Sequence, residues 1–101
     1  MPRQENQSTP KVVSGILYTN DEYTGTAVGS TAWFLWLNLA TTFYYEGRIG
    51  TFTAHRESRQ RGGMYWIAYR RRAGVLRRCH LGKPGLLTAN RLEQAALTLN
   101  I

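Results

Sequence analysis

The chain is 101 residues long, and its hydrophobic fraction of 43% with three tryptophans is typical of one folded domain rather than a disordered tail. Thirteen Lys and Arg against six Asp and Glu give a formal charge of +7, and eleven of the thirteen basic residues are Arg. Such a charge attracts polyanions, so nucleic acid is the first partner to expect. The single cysteine, Cys79, excludes an intrachain disulfide and favours a reducing, cytoplasmic compartment.

The N-terminal segment, residues 1–11, is polar and lacks the apolar stretch of a secretory signal. We therefore expect a disordered tail here, followed by a single domain over residues 12–101. Residues 26–45 carry no charged side chain. Their densest apolar run is about nine residues, whereas a transmembrane helix needs about 20. We therefore expect a buried helix in this stretch and no membrane association.

A Trp-rich helix is predicted within the first part of the domain, residues 12–47. Residues 12–18 have the composition of a short strand, and residues 20–26 that of a turn. The helix begins at Ser30 or Thr31, because either side chain can cap the free amides of its first turn. The apolar residues that follow this start leave the helix with almost no polar face. The helix is therefore either part of the core or an interface for a protein partner or a second copy, through Trp33, Phe34 and Trp36.

The second part of the domain, residues 48–101, is predicted to contain three strands and a helix. Residues 48–57 alternate between apolar and polar, residues 64–72 are rich in aromatic side chains, and residues 75–81 form the return strand after an Ala-Gly turn. Thr88 caps the last helix. This order predicts an α+β fold, a three-stranded antiparallel β-meander packed on a C-terminal helix, with the Trp-rich helix added before the sheet.

Side-chain alternation divides the predicted sheet into two faces. The core between sheet and helix is expected to contain Phe52, Trp66, Ala68, Cys79, Leu81, Leu92, Ala96 and Leu99. Arg70 and Arg77 fall on this same side, where their charged heads must reach water at an edge. The opposite face is left open and is expected to carry Tyr65, Tyr69, Arg71, Arg78 and His80.

The basic, Tyr-rich open face predicts nucleic-acid binding. A β-ribbon can enter the major groove, Arg can contact guanine edges, and Tyr can pack on bases. Duplex DNA is the leading ligand, and RNA is the alternative because such faces also stack single-stranded bases. A protein-interaction module using the Trp-rich helix is a second alternative. The expected nucleic-acid-binding residues are Arg56, Arg59, Arg61, Tyr65, Tyr69, Arg71, Arg72, Arg78 and His80.

The same stretch of sequence carries a family resemblance through Tyr65-Trp66, Arg71, Ala73-Gly74, Arg77, Leu81-Gly82 and the capped helix that follows. It resembles the arm-binding domain of tyrosine integrases and the plant ethylene-response-factor (Apetala-type) domain. Residues 50–97 are also similar to a segment that precedes some bacterial LuxR-type regulators. The resemblance implies duplex DNA held on the sheet face, with readers Arg71, Arg78 and residues of the strand 48–57, in transcription regulation or DNA recombination.

The sequence contains no pattern typical of catalysis, metal binding or cofactor binding. Cys79 and His80 are adjacent on a strand and therefore point to opposite faces, and no Cys-x-x-Cys spacing occurs. The acidic residues are not paired for acid–base chemistry. No glycine motif for cradling phosphates follows a strand. We therefore expect a protein that is not an enzyme and that uses no metal or cofactor.

Overall fold

The computed structural model describes residues 9–59 and 63–100. Over these ranges the chain forms seven strands, two α-helices and one 3-10 turn. Their bounds are β1 Lys11–Val13, β2 Ile16–Thr19, β3 Glu22–Ala27, α1 Thr31–Leu37, β4 Thr42–Glu46, β5 Thr51–Arg59, β6 Gly63–Arg72, β7 Val75–Gly82, the 3-10 turn Pro84–Leu86, and α2 Ala89–Leu99.

All seven strands join in one mixed sheet in the order β3-β2-β1-β4-β5-β6-β7. Strands β1 and β4 pair in parallel, and every other neighbouring pair is antiparallel. The predicted three-stranded meander is therefore wrong as an architecture, although the fold is α+β. Strands β5, β6 and β7 correspond to the three predicted strands, and they form one end of a sheet more than twice as wide.

The additional strands come from the N-terminal part of the domain. The single strand expected over residues 12–18 is split into β1 and β2, because Ser14 and Gly15 form a turn with φ of 52° and 78°. Asn20 and Asp21, also at positive φ, turn the chain again. The segment expected to be a turn, residues 20–26, mostly forms β3. Lys11, placed in the predicted tail, begins β1, while residues 1–8 lie outside the described residues.

Both helices pack on the same face of the sheet and share one hydrophobic core with it. Helix α1 begins after Ser30, whose hydroxyl accepts a hydrogen bond from the Trp33 amide at 3.2 Å. Helix α2 begins after Thr88, which accepts from the Arg91 amide at 3.2 Å. Both predicted caps are confirmed. Ala95 is buried beside the Ala96 predicted in the core, and these small residues let α2 lie close to the sheet.

The centre of the core is a chain of aromatic rings that links α1 to the sheet. The Phe43 centroid lies 5.5 Å from that of Trp33 and 5.2 Å from that of Trp66. Both tryptophans are fully buried. The predicted core is confirmed for Phe52, Trp66, Ala68, Leu81, Leu92, Ala96 and Leu99, whereas Cys79 is half-buried at its margin.

Helix α1 belongs to the core, which changes the proposed use of its tryptophans. Trp33 is buried, and its indole Nε1 donates a hydrogen bond to the Leu87 carbonyl oxygen at 2.9 Å. Trp33 is therefore not available to a partner, contrary to the docking interpretation. Phe34 and Trp36 are half-buried against the core. Within the described ranges, no helix is long and apolar enough to cross a bilayer.

Candidate nucleic-acid interface

The sheet has one face free of helices, which we call the open face. Because side chains alternate across a strand, its residues follow from the register of β5, β6 and β7. Tyr69 pairs with Arg78, and Ala68 in the core pairs with the half-buried Cys79. The predicted division is confirmed, since the open face carries Tyr65, Tyr69, Arg71, Arg78 and His80, joined by Thr53, His55, Glu57, Ile67 and Leu76.

The hairpin formed by β6 and β7 continues past the ladder that joins β6 to β5. That ladder ends at the pair Thr53–Tyr69. The β6–β7 ladder continues for Arg70–Arg77, Arg71–Leu76 and Arg72–Val75. Three further residue pairs extend a two-stranded ribbon by about 10 Å. Residues 71–78 are all exposed, so this ribbon is accessible on the outside of the molecule.

The turn at the tip of this ribbon is narrow. Ala73 and Gly74 both have positive φ, 52° and 81°, which is the backbone of a type I′ hairpin turn. This turn type matches the right-handed twist of the two strands. Ala73 carries only a methyl group and Gly74 has no side chain, so the tip is no wider than the ribbon.

Two arginines of the ribbon hold it to the rest of the protein. Arg70 Nη1 donates a hydrogen bond to Thr51 Oγ1 at 2.6 Å, at the start of β5. Arg72 Nη1 donates to the carbonyl oxygen of Asn100 at 3.3 Å, at the C-terminal end of α2, where the helix dipole favours a cation. Arg72 was predicted as a nucleic-acid contact, but alternation places it on the same side as Arg70, facing the helices.

Arg56 is the second predicted contact residue that lies on the helix side. It pairs with Trp66, and its Nη1 donates to the carbonyl oxygen of Asn38 at 2.9 Å, just after α1. The prediction grouped Arg56 with its neighbours by charge and did not apply the alternation used for β6 and β7. Arg61 and the side chain of Arg59 lie outside the described parts of the chain.

Aromatic rings cover part of the open face. The Tyr65 and His80 centroids are 5.0 Å apart, and those of His55 and Tyr69 are 5.5 Å apart. Ile67, which pairs with both histidines, is only 2% exposed although it is not part of the helix-side core. The rings therefore bury a small apolar centre, and this keeps their positions fixed on the face.

Tyr69 connects the aromatic cover to the charged residues. Its hydroxyl donates a hydrogen bond to Glu57 Oε2 at 2.6 Å, and the Arg78 guanidinium lies 5.6 Å from its ring centroid. The hydrogen bond to Glu57 raises the pKa of Tyr69, with smaller contributions from desolvation and the carboxylate charge. Tyr69 therefore stays protonated, and its ring orients Arg78 by a cation–π contact.

Two open-face residues were not among the expected nucleic-acid-binding residues. Glu57 holds Tyr69 in place by accepting a hydrogen bond from its hydroxyl. Leu76 is 48% exposed and lies directly opposite Arg71. A signal for Leu76 existed, since it alternates with Arg77 and therefore falls on the same face as Arg78.

Within residues 9–59 and 63–100, no group of three or more His, Cys, Asp or Glu side chains is arranged to hold a metal ion. The open face offers guanidinium donors, aromatic rings and one exposed leucine. Comparison with models of protein families, with curated proteins and with solved structures finds no match to this chain.

Proposed function

We propose that the protein binds duplex DNA by inserting the β6–β7 ribbon into the major groove. The observation that carries this proposal is the ribbon itself, an exposed two-stranded extension with arginines on both strands. The major groove is about 12 Å wide and 8.5 Å deep, and it admits a two-stranded β-ribbon. The β6–β7 ladder runs about 10 Å past the last β5–β6 pair, a length similar to the depth of the groove.

The arginines of the ribbon have two roles in this proposal. Arg71 and Arg78 are exposed on the open face and reach base edges, where each guanidinium can donate two hydrogen bonds to guanine. Arg70 and Arg72 hold the ribbon to Thr51 and to the end of α2. Their hydrogen bonds keep them on the helix side, so they set the position of the ribbon.

RNA or single-stranded DNA is a second candidate ligand, which the Tyr65–His80 ring pair favours. Aromatic side chains on an open sheet stack unpaired bases, at about 1–3 kcal/mol per base. These rings lie toward the end of the hairpin strands remote from the tip. A single-stranded ligand would therefore depend on Tyr65, whereas a duplex would depend on Arg71 and Arg78.

Fluorescence anisotropy with labelled duplex DNA, single-stranded DNA and an RNA hairpin tests the proposal at several salt concentrations. We expect the duplex to bind most tightly. If about four phosphates are contacted, log K should fall with log salt at a slope of about −4. No binding to any duplex would refute the proposal, and a preference for single strands that Tyr65→Ala removes would favour the second candidate.

Single-residue variants separate base contacts from a simple effect of charge. Arg71→Ala and Arg78→Ala should each weaken duplex binding by about 1–3 kcal/mol, the range for a bidentate base contact. Lys83→Gln is the matched control, because it removes one exposed positive charge just beyond the opposite end of β7. Arg77→Ala tests the helix-side face of the same strand. Equal losses in all four variants would mean that net charge alone accounts for binding.

A further inference from the structure

Leu76 is an exposed apolar side chain among the arginines of the ribbon. It is 48% exposed and does not belong to the hydrophobic core. Its neighbour Val75 is 59% exposed, but alternation places Val75 on the helix side, paired with Arg72. Leu76 is therefore the apolar side chain that the exposed stretch 71–78 presents on the open face.

The neighbours of Leu76 are the two arginines assigned to base contacts. Leu76 pairs directly with Arg71, and Arg78 follows two residues later on the same strand and face. Leu76 also borders a shallow depression with His55, Glu57 and Tyr69. Residues two apart on a strand are separated by about 7 Å, which is close to two base-pair steps in duplex DNA. A leucine at this position faces the same few base pairs as Arg71 and Arg78.

We propose that Leu76 contacts the C5-methyl group of a thymine in the major groove, within two base pairs of the guanines bound by Arg71 and Arg78. This inference rests on the proposed function and specifies its ligand as duplex DNA that contains thymine beside guanine. The thymine methyl is the one apolar group that the four bases expose in the major groove, and apolar side chains recognise it by contact. The arginines alone would select guanines but would select no particular base at the position that Leu76 faces.

The test replaces thymine by uracil, which removes the methyl group and leaves the hydrogen-bonding groups and phosphates unchanged. The probe is a duplex selected by the wild-type protein from a random-sequence pool. The selected duplex should contain thymine near guanine, and its uracil form should bind about fourfold more weakly, the factor expected for one buried methyl-sized group. Leu76→Ala should bind the thymine duplex more weakly and should no longer distinguish thymine from uracil.

Val75→Ala is the matched control, because it truncates the adjacent exposed apolar residue on the other face and should keep the wild-type preference for thymine. Urea unfolding verifies that all variants fold. Equal binding of thymine and uracil duplexes by the wild type, or a Leu76→Ala variant that still prefers thymine, overturns this inference while duplex binding stands. Absence of binding to every duplex refutes the proposed function, and with it this inference.

Discussion

The two fully buried tryptophans give the most direct test of the packing, because their rings are equally buried and their indole groups are paired differently. Trp33 Nε1 donates to the Leu87 carbonyl oxygen at 2.9 Å. Trp66 Nε1 is buried and has no hydrogen-bond partner among the described residues. Replacement by Phe removes the same atoms at both positions. A difference between the two variants in the free energy of unfolding therefore reports whether the indole N–H had a hydrogen-bond partner.

The expected magnitudes follow from this difference. Both variants lose packing, at a cost on the order of 1–2 kcal/mol for a partial truncation in the core. Trp33→Phe also leaves the buried Leu87 carbonyl without its donor, which costs about 1–3 kcal/mol. Trp66→Phe instead removes a buried donor that had no partner, and this recovers part of a similar penalty. We expect Trp33→Phe to be less stable than Trp66→Phe by about 2–4 kcal/mol.

Urea unfolding measures this difference as a shift in the urea concentration at the midpoint, while the slope of the unfolding free energy against urea concentration stays constant. With a slope of about 2 kcal/mol per molar, the two midpoints should differ by about 1–2 M. Trp36→Phe, at a half-buried position of the same helix as Trp33, controls for the general effect of replacing an indole. Equal losses at Trp33 and Trp66, or a larger loss at Trp66, would refute the assignment of the two indole groups.

Two further predictions concern stability. Burial, together with the hydrogen bond to Glu93 and the charge of that carboxylate, raises the pKa of Tyr45, so stability should fall by about 1.4 kcal/mol per pH unit above about pH 10. Tyr45→Phe should flatten this alkaline decline in pH-dependent unfolding, and an unchanged decline would contradict it. Thr88→Ala removes the cap of α2 and should cost about 1 kcal/mol by thermal unfolding. Thr98→Ala, exposed in the interior of the same helix, should change stability by less than about 0.5 kcal/mol.

The C-terminal half of the fold could be predicted because its local patterns agree with its tertiary contacts. Strand β6 is rich in aromatic residues that favour a strand, and Thr88 precedes a helical repeat. Strand β3 gave no such signal, since nearly all its residues are exposed and no buried face exists to produce alternation. It is held instead by pairing with β2 and by the hydrogen bond from Thr24 Oγ1 to the Leu17 carbonyl oxygen, 2.7 Å.

The face of a residue could be predicted where the two-residue period was applied, whereas Arg56 and Arg72 were grouped with the open-face residues by charge alone. Alternation placed Tyr69, Arg71 and Arg78 on the open face, and the register agrees. The same rule would have placed Arg72 with Arg70 on the helix side. The continuation of the ribbon past the β5–β6 ladder could not be predicted, because it depends on where one ladder ends and the other continues, which no local pattern encodes.

The parallel contact between β1 and β4 determines how the sheet can assemble. Every other ladder joins strands that are consecutive in the chain, so each closes a short loop. The β1–β4 pairing instead brings Lys11 beside Tyr44 across two strands and α1, and it consists of only three residue pairs. Loop-closure entropy opposes such a contact until both halves are formed. The two groups of strands can therefore fold separately and join last, along the line between β1 and β4.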